Sequence, residues 1–330
     1  MSQEQETTKA ARTEVASATS PEASGGNGAG FDSIGAQLIR TGEQPWIDMG
    51  GGNQVIVLRV SKETGFFSLL LKAPAGQVNA PHTHIGAADF YVISGGFDYR
   101  GGSARAGDWV YEPAGAIHDA TTHPEDTIYL ANSYGPIAFH GKDGGYSHIT
   151  DWRAIKAMAD RTGQLRPDSG QRAPRPRPEA ASSGSPRVDA PMAFDALDAS
   201  LIRTHERPWL DMGGGNEVIV LRVSKETGFF SLLIKAPAGQ VNAPHTHIGA
   251  ADFYVISGGF DYRGGSARAG DWVYEPAGAV HEATTHPMDT VYLANSYGPV
   301  AFHGKNGGIS GLFDWRTIAA LAEKSGQKVS

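Results

Sequence analysis

The stretch Pro81-His82-Thr83-His84, followed downstream by Pro113-Ala114-Gly115-Ala116-Ile117-His118, decides the reading of this chain. It occurs a second time, 163 positions later, as Pro244-His245-Thr246-His247 and Pro276-Ala277-Gly278-Ala279-Val280-His281. On an extended segment residues i and i+2 point to one face, so each His-Thr-His sets two imidazoles side by side. A third imidazole arriving from a later strand completes three corners of a metal coordination sphere. Two metal sites, one per copy, are therefore expected.

Outward from these motifs, residues 38–140 align without a gap on 201–303, with 10 differences in 103 positions. Most are mild exchanges, such as Ile47 for Leu210, Ile117 for Val280 and Asp119 for Glu282. A duplication this recent gives no independent witness to the chemistry, but both copies keep the whole candidate site. At 330 residues the chain has room for two domains with a core each. The expected division is a disordered tail at 1–34, a first domain at 35–163, a linker at 164–195 and a second domain at 196–330. The tail is rich in Ser, Thr, Ala, Glu and Gly and lacks the apolar run of a secretory signal. The linker alternates Pro with Arg in Arg172-Ala173-Pro174-Arg175-Pro176-Arg177-Pro178, which blocks helix and sheet and reads as a solvated spacer.

The formal charge of −7 gives no reason to expect nucleic acid or an anionic membrane as partner. No stretch approaches the roughly 18 consecutive apolar residues of a membrane helix, and the cytoplasm is the expected location. The absence of cysteine excludes disulfides, thiolate ligands and cysteine nucleophiles, so any metal must be held by His and oxygen.

Inside each copy the apolar runs are short, β-branched or aromatic, and punctuated by Gly and Pro: Val55–Val60, Phe66–Leu71, Phe90–Ile93, Trp109–Tyr111 and Thr127–Ala131. This spacing predicts a mainly β domain, a small barrel or sandwich. The exception closes each copy. Asp151 precedes apolar residues three apart at Trp152, Ile155 and Met158, and Asp314 precedes Trp315, Ile318 and Leu321, the marks of one short capped amphipathic helix.

As a pattern, Gly76-(five residues)-His82-Thr83-His84-(four residues)-Asp89-(six residues)-Gly96, then Gly107-(five residues)-Pro113-Ala114-Gly115-(two residues)-His118, resembles the two cupin motifs. The resemblance covers the core of each repeat and implies two tandem double-stranded β-helix (jelly-roll) domains, a bicupin. It implies metal ligands at His82, His84 and His118, and at His245, His247 and His281. Two positions depart: Asp89 and Thr122 stand where cupins usually have Glu and often have Asn. Asp is one methylene shorter than Glu, so Asp89 and Asp252 are expected to fall short of the metal.

A site of three neutral imidazoles leaves the charge of a divalent ion uncompensated and open to an anionic substrate and dioxygen. This narrows the resemblance to the cupin dioxygenases that cleave carbon–carbon bonds beside carbonyls, the acetylacetone-cleaving and dihydroxyacetophenone enzymes. The matching stretches are Lys72-Ala73-Pro74-Ala75-Gly76, Tyr99-Arg100-Gly101-Gly102, Glu112 six residues before His118, and Tyr134-Gly135-Pro136-Ile137-Ala138-Phe139. The resemblance implies Fe(II) in each domain, with zinc or another divalent metal as the alternative. It implies a dicarbonyl or hydroxyketone substrate cleaved with dioxygen to carboxylic acids, and functional carboxylates at Glu112 and Glu275. Those carboxylates are expected to hydrogen-bond a ligand His or to take the substrate proton. Related single-domain cupins self-associate, which implies a homo-oligomer. The competing expectations are a non-catalytic zinc-binding sensory cupin and a non-oxidative isomerase, decarboxylase or lyase.

Six further histidines stand outside this set, and four of them are placed by the repeat. His123 and His286, an odd step beyond the third ligand, are expected on the opposite strand face with a structural role. His140 and His303 fit the pocket lining and the surface equally well. Tyr91, Phe97, Trp109 and Tyr111 read as core aromatics that double as candidate pocket walls.

Overall fold

The computed structural model describes residues 36–99, 102–164, 199–262, 265–304 and 308–326. The expected tail, and the expected linker apart from Gln164, lie outside them. Each half builds a jelly-roll from one large sheet and two small ones. In the first half the large sheet runs Ser200–Arg203, Asp108–Glu112, Ala88–Ser94, Thr127–Ser133, Phe67–Ala73, Asn53–Val60, Ile47–Gly50, all neighbours antiparallel. The small sheet that matters for the site joins Ile117–His118, His82–His84, Ile137–His140 and Tyr146–Thr150.

The central strands of the large sheet bury both faces. Along Val55-Ile56-Val57-Leu58 every residue is buried. Val55 and Val57 point into their own barrel with Phe67 and Leu69. Ile56 and Leu58 point the other way, into a core shared with Ile219, Leu221, Trp272 and Leu293 of the second half. A strand covered on both sides reads as a continuous apolar run instead of an alternating one. The two large sheets therefore pack face to face through one common core.

The halves also exchange their first strands. Gln37–Arg40, at the start of the first half, pairs antiparallel with Asp271–Glu275 of the second, and Ser200–Arg203 pairs with Asp108–Glu112 of the first. Arg40 bonds Asp271 at 3.1 Å and Arg203 bonds Asp108 at 3.2 Å, each at the end of its exchanged strand. A division of the sequence into consecutive domains does not describe this crossover.

The closing helices are Trp152–Thr162 and Trp315–Lys324. The Asp151 carboxylate accepts from the backbone N–H groups of Arg153 and Ala154, and Asp314 accepts from Arg316 and Thr317. Ile155 and Ala159 are fully buried against Val55, Val57 and Phe67, with Trp152 and Met158 half-buried at the rim. Among the described residues no helix is long and apolar enough to cross a membrane.

Candidate metal centre

Two devices bring the histidines together. The turn Pro113-Ala114-Gly115-Ala116 is closed by the Ala116 amide donating to the Pro113 carbonyl at 3.1 Å, and Gly115 adopts φ +85°, which its lack of a Cβ permits. The same turn grips His84 on both sides: the Gly115 amide donates to the His84 carbonyl at 2.7 Å, and the His84 amide donates to Ala116 at 2.9 Å. Antiparallel pairing then sets His118 directly opposite His82. The second half repeats these bonds at Gly278, His247 and Ala279, with His281 opposite His245.

The result is a cluster of His82, His84 and His118 whose ligand atoms all lie within 4.8 Å of one another, and an equivalent cluster of His245, His247 and His281. His82 Nδ1–H donates to the Ala80 carbonyl at 2.9 Å, as His245 does to Ala243, which leaves the lone pair on Nε2. The Nε2 atoms of His82 and His84 are 3.2 Å apart. Two nitrogens each about 2.1 Å from one ion are separated by about 3.0–3.4 Å at octahedral or tetrahedral angles, so this spacing suits a shared metal. Burial, reinforced by the neighbouring imidazoles, lowers both His82 and His84 to about 3; His245 falls to about 4 and His247 well below its ordinary value. Neutral imidazoles are the form that ligates. His247 is buried, and neither of its ring nitrogens has a hydrogen-bond partner. An orphaned imidazole of this kind fits a position meant for a metal.

Glu112 and Glu275 join the clusters. Glu112 is 1% exposed, and its Oε2 touches His118 Nε2 and lies 3.4 Å from His84 Nε2. Glu275 Oε2 touches His281 and lies 3.8 Å from His247 Nε2. Asp89 and Asp252 lie elsewhere, and the reason is strand parity and not reach. Phe90 packs on His84 at 5.8 Å between ring centres, so Asp89, one residue earlier on the same strand, faces out of the barrel. There it accepts from Asn132 at 2.8 Å and from the Tyr134 hydroxyl at 2.7 Å. Burial raises both aspartates, Asp252 to about 6.

In the second half the triad opens onto a cavity of about 410 Å³, walled by side chains that include Phe230, Leu232, Phe253, Phe260 and Tyr292. Of the aromatic residues singled out in the sequence, Phe97 is the counterpart of a cavity wall, whereas Tyr91 and Trp109 belong to the core shared by the halves and Tyr111 packs against it. His286 also lines the cavity, which corrects the expectation that it occupies the opposite face. The parity count fails because the strand Ile117–His118 ends before a separate one, Thr121–Thr122, begins. His140 and His303 instead bond Thr83 and Thr246 at 2.8 Å, the residues between the paired histidines, and take no part in the clusters. The phenylalanines after Asp89 and Asp252 were missed in the sequence; correct strand parity is the signal that finds them.

Residues 35–138 and 198–301 both match the family described as the ChrR Cupin-like domain. The chain belongs to this cupin family. Over 108 residues it is 29% identical to the acetylacetone-cleaving enzyme of Acinetobacter johnsonii, a match spanning 31% of this chain and 71% of that protein. The solved acetylacetone dioxygenase of the same organism is similar at 21% identity and a TM-score of 0.33, covering 47% of this chain and 99% of that one. A structure from Nostoc punctiforme, described as a candidate dioxygenase, is 11% identical with a TM-score of 0.57 and covers 84% of this cupin and 86% of its own chain. That last likeness runs through both halves and concerns the fold alone.

Proposed function

We propose that this bicupin is a non-haem iron dioxygenase that cleaves the carbon–carbon bond beside a carbonyl of a dicarbonyl or hydroxyketone, giving carboxylic acid products. The observation that carries the reading is the set of three neutral, converging imidazoles with a buried carboxylate beside them, opening onto an apolar cavity. The relative named as acetylacetone-cleaving supports it.

His82, His84 and His118 would hold one ferrous ion, and His245, His247 and His281 a second. Bound iron would supply positive charge to stabilise an enolate and the electron chemistry with dioxygen. The chain supplies the rest. Glu112 and Glu275 accept the proton lost from the carbon beside the carbonyl, in a site where burial strengthens the exchange. The phenylalanine walls exclude water and hold the apolar part of the ketone in place.

The test is oxygen uptake by protein loaded anaerobically with Fe(II) and offered acetylacetone or a dihydroxyacetophenone, with zinc-loaded protein as control. Iron-dependent uptake matched by carboxylic acid is expected. One observation favours a second reading, a non-catalytic zinc site: three imidazoles and the Glu112 carboxylate offer four donors, the number a tetrahedral zinc ion takes when no position is left open. Tight zinc binding without oxygen uptake on any ketone would establish it.

A further inference from the structure

A second group of buried polar side chains lines the cavity of the histidine triad and has no part in the proposed cleavage. His286 is 1% exposed. Its Nε2 meets Asn242 Nδ2 at 3.2 Å, and Asn242 Oδ1 receives Gln240 Nε2 at 3.3 Å, which fixes the orientation of the amide. The imidazole therefore accepts through Nε2 and carries its proton on Nδ1, which has no partner. Asn216 lines the same cavity, donates from Nδ2 to Asn242 Oδ1 at 2.8 Å, and leaves its own Oδ1 without a partner. One open donor and one open acceptor are thus both carried by neighbours of Asn242.

The first half keeps the residues but turns the imidazole, with His123 Nδ1 at 3.4 Å from the Gln77 carbonyl, so that its open nitrogen is an acceptor. Asn53 Nδ2 donates to Asn79 Oδ1 at 2.6 Å while Asn53 Oδ1 is open, and His123, 1% exposed, has an open Nε2. Open polar atoms in buried side chains are rare and costly unless something satisfies them. A ladder of rings connects this pole to the metal ligands: Phe253 lies 5.8 Å from His247 and 6.1 Å from Tyr292, which stacks on His286 at 5.9 Å.

We propose that His286 with Asn216 forms a ligand subsite for a hydroxyl group in the cavity of the second half, beyond the ring ladder from the triad. The hydroxyl donates to Asn216 Oδ1 and accepts from His286 Nδ1–H. A carbonyl or ether oxygen only accepts and would leave Asn216 Oδ1 unpaired, whereas a hydroxyl satisfies both atoms. Resting on the cleavage reading, this makes the substrate a dicarbonyl or hydroxyketone whose apolar body carries a hydroxyl far from the carbonyls.

The subsite is tested without metal chemistry by calorimetric titration of the full chain with 4-propylphenol and with propylbenzene. The phenol is expected to bind at least about fivefold more tightly, the equivalent of one net hydrogen bond. His286→Phe keeps the ring stack on Tyr292 and removes the nitrogens; it is expected to bring the phenol down to propylbenzene affinity while propylbenzene binding stays unchanged. Should that protein fail to fold, Asn216→Leu is expected to lose the same preference. Equal affinities in the unaltered chain, a preference that survives the substitutions, or no binding of either compound overturns the subsite. Oxygen uptake separates the two ideas. Phenol preference without uptake leaves the subsite and removes the dioxygenase, and uptake with indifference to the hydroxyl does the reverse.

Discussion

His84 and Asp89 lie five positions apart in one motif, yet one faces the candidate metal and the other faces the opposite half of the molecule. Their substitutions should differ accordingly. His84→Ala with His247→Ala is expected to abolish bound metal, measured by elemental analysis after dialysis, and His84→Ala alone to retain about half, as for distant independent sites. Asp89→Asn with Asp252→Asn is expected to keep the metal content of the unaltered protein; loss of metal there would return the aspartates to the ligand set. The aspartates should register in stability instead. Burial outweighs the Tyr297 and Asn295 hydrogen bonds and the Arg59 charge, and raises Asp252 to about 6 from an ordinary value near 3.8. The folded state then holds the proton more tightly than the unfolded state. Its contribution is fully present below about pH 4 and is lost as pH rises through about 6, with an upper limit near 3 kcal/mol. Melting of the unaltered chain and of Asp252→Asn between pH 4 and 7 checks this. The Asn variant should gain relative to the parent as pH rises, and a pH-independent difference would refute it.

At the scale of elements, the loop after His84 depends on a close backbone approach. A Cβ on Gly86 would sit 2.6 Å from the amide of Gly135 and the carbonyl of Tyr134, and Gly249 meets Gly298 and Tyr297 in the same way. Backbone cannot yield as a flexible side chain does, so Gly86→Ala is expected to cost about 1–3 kcal/mol and to lower Tm. The same change should weaken metal binding in the first half only, because the loop carries the strand His82–His84. Calorimetric melting with a metal titration checks both effects, and an unchanged Tm would show that the loop relaxes freely.

The whole molecule is held by its crossover. Each first strand belongs to the other half's sheet, and the common core draws Trp109 from one half and Trp272 from the other. Two arginines bind across the same boundary: Arg59 stacks on Tyr274 at 4.1 Å and donates to its hydroxyl at 3.1 Å, and Arg222 does the same at Tyr111 at 4.0 and 3.0 Å. Cutting the chain at a protease site introduced between residues 172 and 186 should therefore leave the fragments together. Co-elution on size exclusion, with metal content and Tm close to those of the uncut chain, is the expected result; separation into two folded halves would rule out the exchange.

The sequence alone determined what depends on local pattern. It carried the duplication, the β class, the capped closing helices and both histidine triads, because strand periodicity, an Asp cap and His-x-His spacing act over a few residues. It also placed Glu112 and Glu275 among the functional candidates through the family resemblance. Tertiary structure decided the rest. The Asp-Trp-Val-Tyr-Glu strand is identical in the two copies, at Asp108–Glu112 and Asp271–Glu275, so no residue of it reveals which half its added partner strand comes from. Apolar residues on both faces of Val55–Leu58 announce a strand covered twice without naming the cover. Parity counting misplaced His286 because alternation holds only within a continuous strand, and the break between His118 and Thr121 resets it. What joins distant segments, the strand exchange, the shared core and the polar pole around Asn242, follows from how the sheets pack, and packing is a property of the folded whole.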